Sequence, residues 1–268
     1  MVFPDSQRVI YRRNPLEAVI CQLRFAPILK IESEVPTAFQ EKIRHDYPLF
    51  EESAQQRVPQ LPAELAKAIG NDLPTILAAM GAIGNKRYEF ASEDTSWQVS
   101  LNRDFLALTT RRYTRWEDFR ARLARLMDAL REEYDPRFFV RVGLRYRDVI
   151  KKADWGLGPI PWADLLQPHI VGELSSPDIA PAIDRVVSDV LIRLDGGKVR
   201  MKHGLNLLGG AGDSDPTTYV IDSDFFTDGR TEVGNALDKL DQYNREAGRL
   251  FRWAIKDRLH EAMEPDII

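Results

Sequence analysis

The stretch 138–150, FFVRVGLRYRDVI, constrains the fold more than any other part of this chain. Val140, Val142, Leu144 and Tyr146 alternate with Arg141, Gly143, Arg145 and Arg147. A period of two suits a β-strand with one apolar and one basic face, whereas a helix would scatter the same residues around its axis. Such a strand belongs in a sheet whose apolar face is covered by helices, which leaves the arginines on the open face.

A second segment has the same character. In 18–25, AVICQLRF, the residues Val19, Cys21, Leu23 and Phe25 share one face, Gln22 and Arg24 point the other way, and Pro15 and Pro27 bound the run. Placed over Val140 to Tyr146 at an offset of 121, Val19 to Phe25 matches at three identical positions and one aromatic pair. The elements that follow repeat in kind. A helix is expected over 35–46, with Ser33 as N-cap and Phe39, Ile43 and Tyr47 on one stripe. Residues 48–85, broken by Pro48, Pro59, Pro62 and Pro74, read as an insertion with short helical pieces at 62–69 and 74–80. Strands at 87–92, 96–101 and 105–112 form a meander joined by short polar turns. Thr114 and Glu117 have capping-box spacing before a helix striped by Trp116, Phe119, Leu123, Leu126, Leu130 and Tyr134. After 138–150 come a short helix at 161–167, then strands at 186–194, 198–208 and 217–224. Asp195-Gly196-Gly197 marks a hairpin between the first two. One long helix over 231–263 closes the chain.

The expected fold is therefore α+β: two related β-α-β-β-β-α halves, 1–135 and 136–268, fused into one unit of antiparallel sheet with helices on one face. This order resembles the repeat of TATA-binding-protein-like folds, a likeness of topology that carries no function. A terminal helix of that length would span about 50 Å at ~1.5 Å per residue. It therefore suggests packing across both halves or against a second copy of the chain, a homodimer through 231–263.

Composition removes several functions. The 41 acidic residues against 37 basic give a net charge of −4, which excludes coating of nucleic acid. The charge is uneven: residues 1–150 hold 23 basic and 21 acidic, residues 151–268 hold 14 and 20, and the window 103–147 holds 12 arginines and 7 acids. A localised anionic contact thus stays open. One cysteine, Cys21, allows no disulfide framework and no cysteine-rich zinc module. With no secretory pattern at the start and no long apolar run, the expected location is the cytoplasm, away from membranes.

No catalytic set emerges. His45, His169, His203 and His260 lack metal-ligand spacing, and Cys21 falls in the apolar phase of its strand. Gly81-Ala82-Ile83-Gly84 precedes a strand and Gly209-Gly210-Ala211-Gly212 lacks a following Lys-Ser/Thr, so both read as loops rather than phosphate cradles. Acids gather at Asp213, Asp215, Asp222, Asp224 and Asp228; Asp222 and Asp224 share a strand face and form a candidate site for a divalent cation. The ordered basic feature is the set Arg24, Arg141, Arg145 and Arg147, suited to bidentate pairing with phosphate or carboxylate. The plainer reading is a sheet surface paired with its own acids.

Several segments together resemble a sporadically distributed family of uncharacterised bacterial and archaeal proteins of about this length. They are Asn14-Pro15-Leu16-Glu17-Ala18-Val19-Ile20-Cys21-Gln22-Leu23-Arg24-Phe25, Leu106-Ala107-Leu108-Thr109-Thr110 with Tyr113, Trp116 and Phe119, and Gly143-Leu144-Arg145-Tyr146-Arg147. An Asp-containing strand before a helix bearing Phe251 and Ile255 completes the likeness. The chain departs from the family at Arg147-Asp148, where Ile or Val followed by Asn is usual. The resemblance implies no activity; the family's patchy occurrence points to mobile or defence-associated genes.

The functional expectation is a non-enzymatic binding protein of a bacterial accessory or defence system, without a cofactor. It would recognise a macromolecular partner, protein rather than nucleic acid, through Arg24, Arg141, Arg145 and Arg147. The alternatives are a metal-dependent phosphoesterase or nuclease using Asp222 and Asp224, and a structural oligomer.

Overall fold

The structure is a computed structural model that describes residues 2–54, 86–205 and 218–268. The expected helical pieces at 62–69 and 74–80, both glycine-rich loops, Asp213 and Asp215 lie outside the described residues. The strands are β1 (Val9–Tyr11), β2 (Leu16–Phe25), β3 (Leu49–Ala54), β4 (Lys86–Ala91), β5 (Trp97–Asn102), β6 (Phe105–Thr110), β7 (Phe138–Lys151), β8 (Ser188–Leu194), β9 (Gly197–Leu205), β10 (Thr218–Phe226), β11 (Thr231–Glu232) and β12 (Pro265–Ile267). The α-helices are α1 (Leu29–Ser33), α2 (Thr37–Ile43), α3 (Trp116–Tyr134), α4 (Pro168–Val171), α5 (Ala236–Ala254) and α6 (Asp257–Ala262).

One antiparallel sheet runs through the molecule in the order β3-β4-β5-β6-β2-β7-β10-β9-β8, with the short β11 beside β7. Outward from the central pair, β6, β5 and β4 follow β2, as β10, β9 and β8 follow β7. Among the described residues β3 extends one side by a further strand. In the central register Gln22 pairs with Gly143, two residues 121 apart. The turns follow local chemistry. Gly196 takes φ +71° between the paired residues Leu194 and Gly197, a left-handed position that favours glycine. Asn102 Oδ1 accepts the amide protons of Asp104 and Phe105 at 2.9 and 2.8 Å and so tightens the β5–β6 turn.

The apolar phases of β2 and β7 lie under the helices. Val19, Cys21, Leu23, Val142 and Leu144 are fully buried with Phe119 and Leu123 of α3 and Leu240 and Tyr243 of α5. Each such side chain stabilises the fold by about 1.5–3 kcal/mol relative to exposure. Among the described residues no helix is long and apolar enough to cross a membrane.

Several expectations need correction. The long terminal helix is not one helix: α5 ends at Ala254, Ile255 is extended, and α6 is separate. Tertiary bonds make the break. Ile255 bridges Leu166, Gln167 N donates to Ala254 O at 3.0 Å, and Lys256 N donates to Leu165 O at 2.8 Å. At its start, residues 231–232 join the sheet as β11 and residues 233–235 form a 3₁₀ turn. The excess length that suggested a second subunit is therefore absent, and the buried face of α5 is occupied within the chain.

The capping box does not form either. Arg115 is the N-cap without a side-chain cap; Thr114 Oγ1 donates to Asp118 at 3.3 Å, and Glu117 instead pairs with Arg8 at 2.7 Å. Ser33 ends α1 instead of capping α2, which begins after Pro36. Of the expected insertion, residues 49–54 are a sheet strand paired with β4. The 161–167 helix is a 3₁₀ turn, Trp162–Asp164, followed by α4. Val140 leaves the apolar row because the register slips beside it, between Arg24↔Arg141 and Phe25↔Phe139. Phe139 is fully buried in its place and Val140 is 40% exposed.

Candidate functional site

The period-two pattern of β7 places Arg141, Arg145 and Arg147 on the face away from the helices, and Arg24 stands opposite Arg141 on β2. Like charges directly opposed repel, so each needs its own counter-charge. β10 supplies two. In its register Asp222 faces Arg147 and Asp224 faces Arg145. The side chains reach diagonally. Arg145 Nε donates to Asp222 Oδ1 at 2.6 Å, with a second bond from its Nη2 to Oδ2, and Arg141 Nη2 donates to both oxygens of Asp224 at 2.9 and 2.8 Å. Arg147 pairs with Glu17 at 3.0 Å, from the slipped residue of β2, and Arg24 with Asp104 at 2.9 Å. Further out, Arg200 pairs with Asp189 at 2.6 Å.

Gly143 makes room for this array. A Cβ there would run into the Arg141 guanidinium, which lies against it. Arg141 also donates to Gln22 Oε1 at 3.3 Å and sits 4.9 Å over the Phe226 ring. All four expected arginines are thus brought onto one face, each tied to a carboxylate of the same chain. Asp222 and Asp224 do share that face, but as arginine acceptors. Among the described residues no group of three His, Cys, Asp or Glu gathers as metal ligands, and Asp228 is engaged by Lys198 at 2.5 Å.

The remaining candidates have structural surroundings. Cys21 is fully buried, and burial pushes its thiol far above the ordinary value. His203 Nδ1 lies 2.7 Å from the Tyr219 hydroxyl, which donates to Ile170 O at 3.0 Å; burial holds this histidine below its ordinary value. His169 stacks on Trp253 with ring centroids 3.9 Å apart, and burial lowers it too.

On the helix-covered side lies a place that the residue patterns did not mark. A cavity of about 290 Å³ opens between the N-terminal arm, the start of α3 and the middle of α5, with β7 as its floor. Asp148 lines it, only 6% exposed. Burial, reinforced by Asp222 behind it on the other face, pushes its carboxyl up to about 8. Tyrosines surround the space. The Tyr11 hydroxyl is 2.7 Å from His260 Nδ1, and Tyr146 donates to Asn244 Oδ1 at 2.9 Å. Tyr113, raised to about 12 by burial, meets the Tyr146 ring edge-on with centroids 5.9 Å apart. A readable signal did exist: Asp148 occupies the apolar phase of its strand, two residues after Tyr146. Its neighbours come from the distant arm and α5, which no local pattern joins to it.

No family model matches the chain, and no curated protein matches it in sequence.

Proposed function

We propose that this chain is a binding protein, without chemistry of its own, that recognises a macromolecular partner through the open sheet face, within a bacterial accessory or defence system. One observation carries the reading: the face presents a balanced array in which Arg24, Arg141, Arg145 and Arg147 each hold a carboxylate. A polyanion gains most from uncompensated cations, and here every phosphate would also meet the aspartates. A protein surface with mixed charges can exchange pairs with the array one for one, which favours a protein over nucleic acid. The metal-dependent alternative loses ground because Asp222 and Asp224 are already bound by guanidinium groups.

The two halves are read as copies of one unit, in a TATA-binding-protein-like arrangement. What supports this is the strand order, mirrored about β2 and β7, and the pairing of Gln22 with Gly143, which the offset of 121 equates.

The test needs variants that keep the fold. Removing Arg145 would strand Asp222, whose side chain is 9% exposed, so that substitution confounds binding with stability. Arg24→Gln with Arg147→Gln is cleaner, because both pairs are more exposed and such pairs contribute about 0–1 kcal/mol. Proteins crosslinked to the wild-type chain in its native cell are compared with those crosslinked to the double variant and to Arg122→Glu on α3. The expected result is loss of the same species from the double variant alone. Equal recovery from all three sinks the proposal.

A further inference from the structure

We infer that the cavity between the N-terminal arm and α5 is a binding site for a small molecule bearing a protonated amine, with the Asp148 carboxylate as its counter-charge. The site is separate from the sheet face and does not depend on that reading.

Geometry is the first ground. Asp148 is 94% buried, taking its exposure of 6%, and it lines the cavity. Among the described residues it has no hydrogen-bond donor and no ion pair, whereas the polar groups around it are engaged with one another. Tyr146 is bound to Asn244, and Tyr11 to His260. The unused capacity of the wall is therefore an acceptor, and the complementary ligand brings donors and positive charge. Tyr11, Tyr113, Tyr146 and Phe251 add aromatic surface that attracts a cation. The volume of about 290 Å³ lies at the lower end for small-molecule sites, which sets the size of the guest.

The arginines at the mouth do not make this an anion site. Arg8 holds Glu117, Arg115 holds Asp118, Arg249 holds Asp5 and Arg252 holds Asp257. Arg245 also lines the cavity, and among the described residues it pairs with no carboxylate.

Binding should then release a proton. With its carboxyl pushed up to about 8, Asp148 is mostly neutral in the empty cavity at neutral pH, and an ammonium group draws out the ionised form. The shifted groups turned toward it, three tyrosines and one histidine, keep their charge between about pH 7 and 8.5. Burial raises Tyr11 on β1, Tyr146 on β7 and Tyr113 before α3. Arg252 on α5 is held by Asp257, and burial keeps His260 of α6, behind Tyr11, below its ordinary value. Asp222, across the sheet, is held by Arg145.

Calorimetry with the full chain tests this, using benzylamine as probe, benzyl alcohol as its neutral counterpart and benzoate as its anionic one. Benzylamine is expected to bind roughly eightfold tighter at pH 8.5 than at pH 7, the change in ionised Asp148. At pH 7 the buffer dependence of the enthalpy should show release of most of one proton. Asp148→Asn should weaken benzylamine by about tenfold or more and leave benzyl alcohol unchanged. The proton count on the wild-type chain stands even if the variant fails to fold. Absence of benzylamine binding at millimolar concentration, equal binding of benzoate, or binding without proton release would overturn the inference.

Discussion

Arg120 of α3 and Asp241 of α5 face each other where the two long helices meet, and Arg120 Nε donates to both carboxylate oxygens at 2.9 and 3.1 Å. Trp116 Nε1 donates to the same carboxylate at 2.6 Å. These residues are also 121 apart, the separation of Gln22 and Gly143 in the central strand pair beneath them. Asp241 thus ties α5 to α3 within the helix layer.

Asp241→Ala should therefore cost about 1–3 kcal/mol, since it leaves the Trp116 N–H and the Arg120 guanidinium without an acceptor. Arg120→Ala should cost less, about 1 kcal/mol or under, because the pair is partly exposed and Trp116 keeps its bond. Urea unfolding of both single variants and the double variant gives the coupling. Equal costs for the two single changes would show that Asp241 is not the shared acceptor.

Asp148 should make stability fall as pH rises. Its carboxyl is raised from 3.8 to about 8 by burial, so between those values the folded chain binds more protons than the unfolded one. Unfolding free energy then decreases through this window, by about 6 kcal/mol at most, and levels off above about pH 8. Asp148→Asn removes the slope and should raise the urea midpoint more at pH 8 than at pH 5. Parallel curves for the two proteins would contradict the buried, protonated carboxyl.

How much of this was legible depended on the range of the interactions. The alternation in β2 and β7 is local, and it correctly placed Cys21, Leu144 and the arginines on their faces. The Asp195-Gly196 turn is local too. The slip that expels Val140 arises from pairing between β2 and β7, so spacing along one strand could not show it. The helix over 231–263 was broken at Ile255 by backbone bonds from Leu165 to Gln167, nearly ninety residues away. The arginines were visible, but their partners Asp222 and Asp224 became neighbours only through the register of β10. Asp148 stood in the apolar phase of its strand, and its meaning waited on Tyr11, Tyr113 and Asn244 arriving from three other segments.

Gly143→Ala should disturb the open face without touching the core. The new methyl group would push the Arg141 guanidinium away from Asp224, Gln22 and Phe226 together. A loss of about 1–2 kcal/mol is expected. In an Arg141→Ala background the same change should cost much less, because the side chain it displaces is gone. Chemical denaturation of the four proteins measures the coupling, and additive effects would mean that Gly143 serves some other end.

The β8–β9 turn offers a graded series at adjacent glycines. Gly196 has φ +71°, so Gly196→Ala should cost about 1 kcal/mol through backbone strain, and Gly196→Asn less. Gly197 has ordinary backbone but no room. A Cβ there would meet the Phe226 carbonyl oxygen at 2.8 Å and the Tyr243 hydroxyl of α5. Backbone cannot yield as a side-chain end can, so Gly197→Ala should cost more, about 2–3 kcal/mol. Tyr243→Phe removes the hydroxyl, which is buried without a hydrogen-bond partner, and should recover part of that loss while costing little alone. Thermal unfolding of the series checks the order. Full recovery by Tyr243→Phe would place the whole clash on the hydroxyl and none on the Phe226 carbonyl.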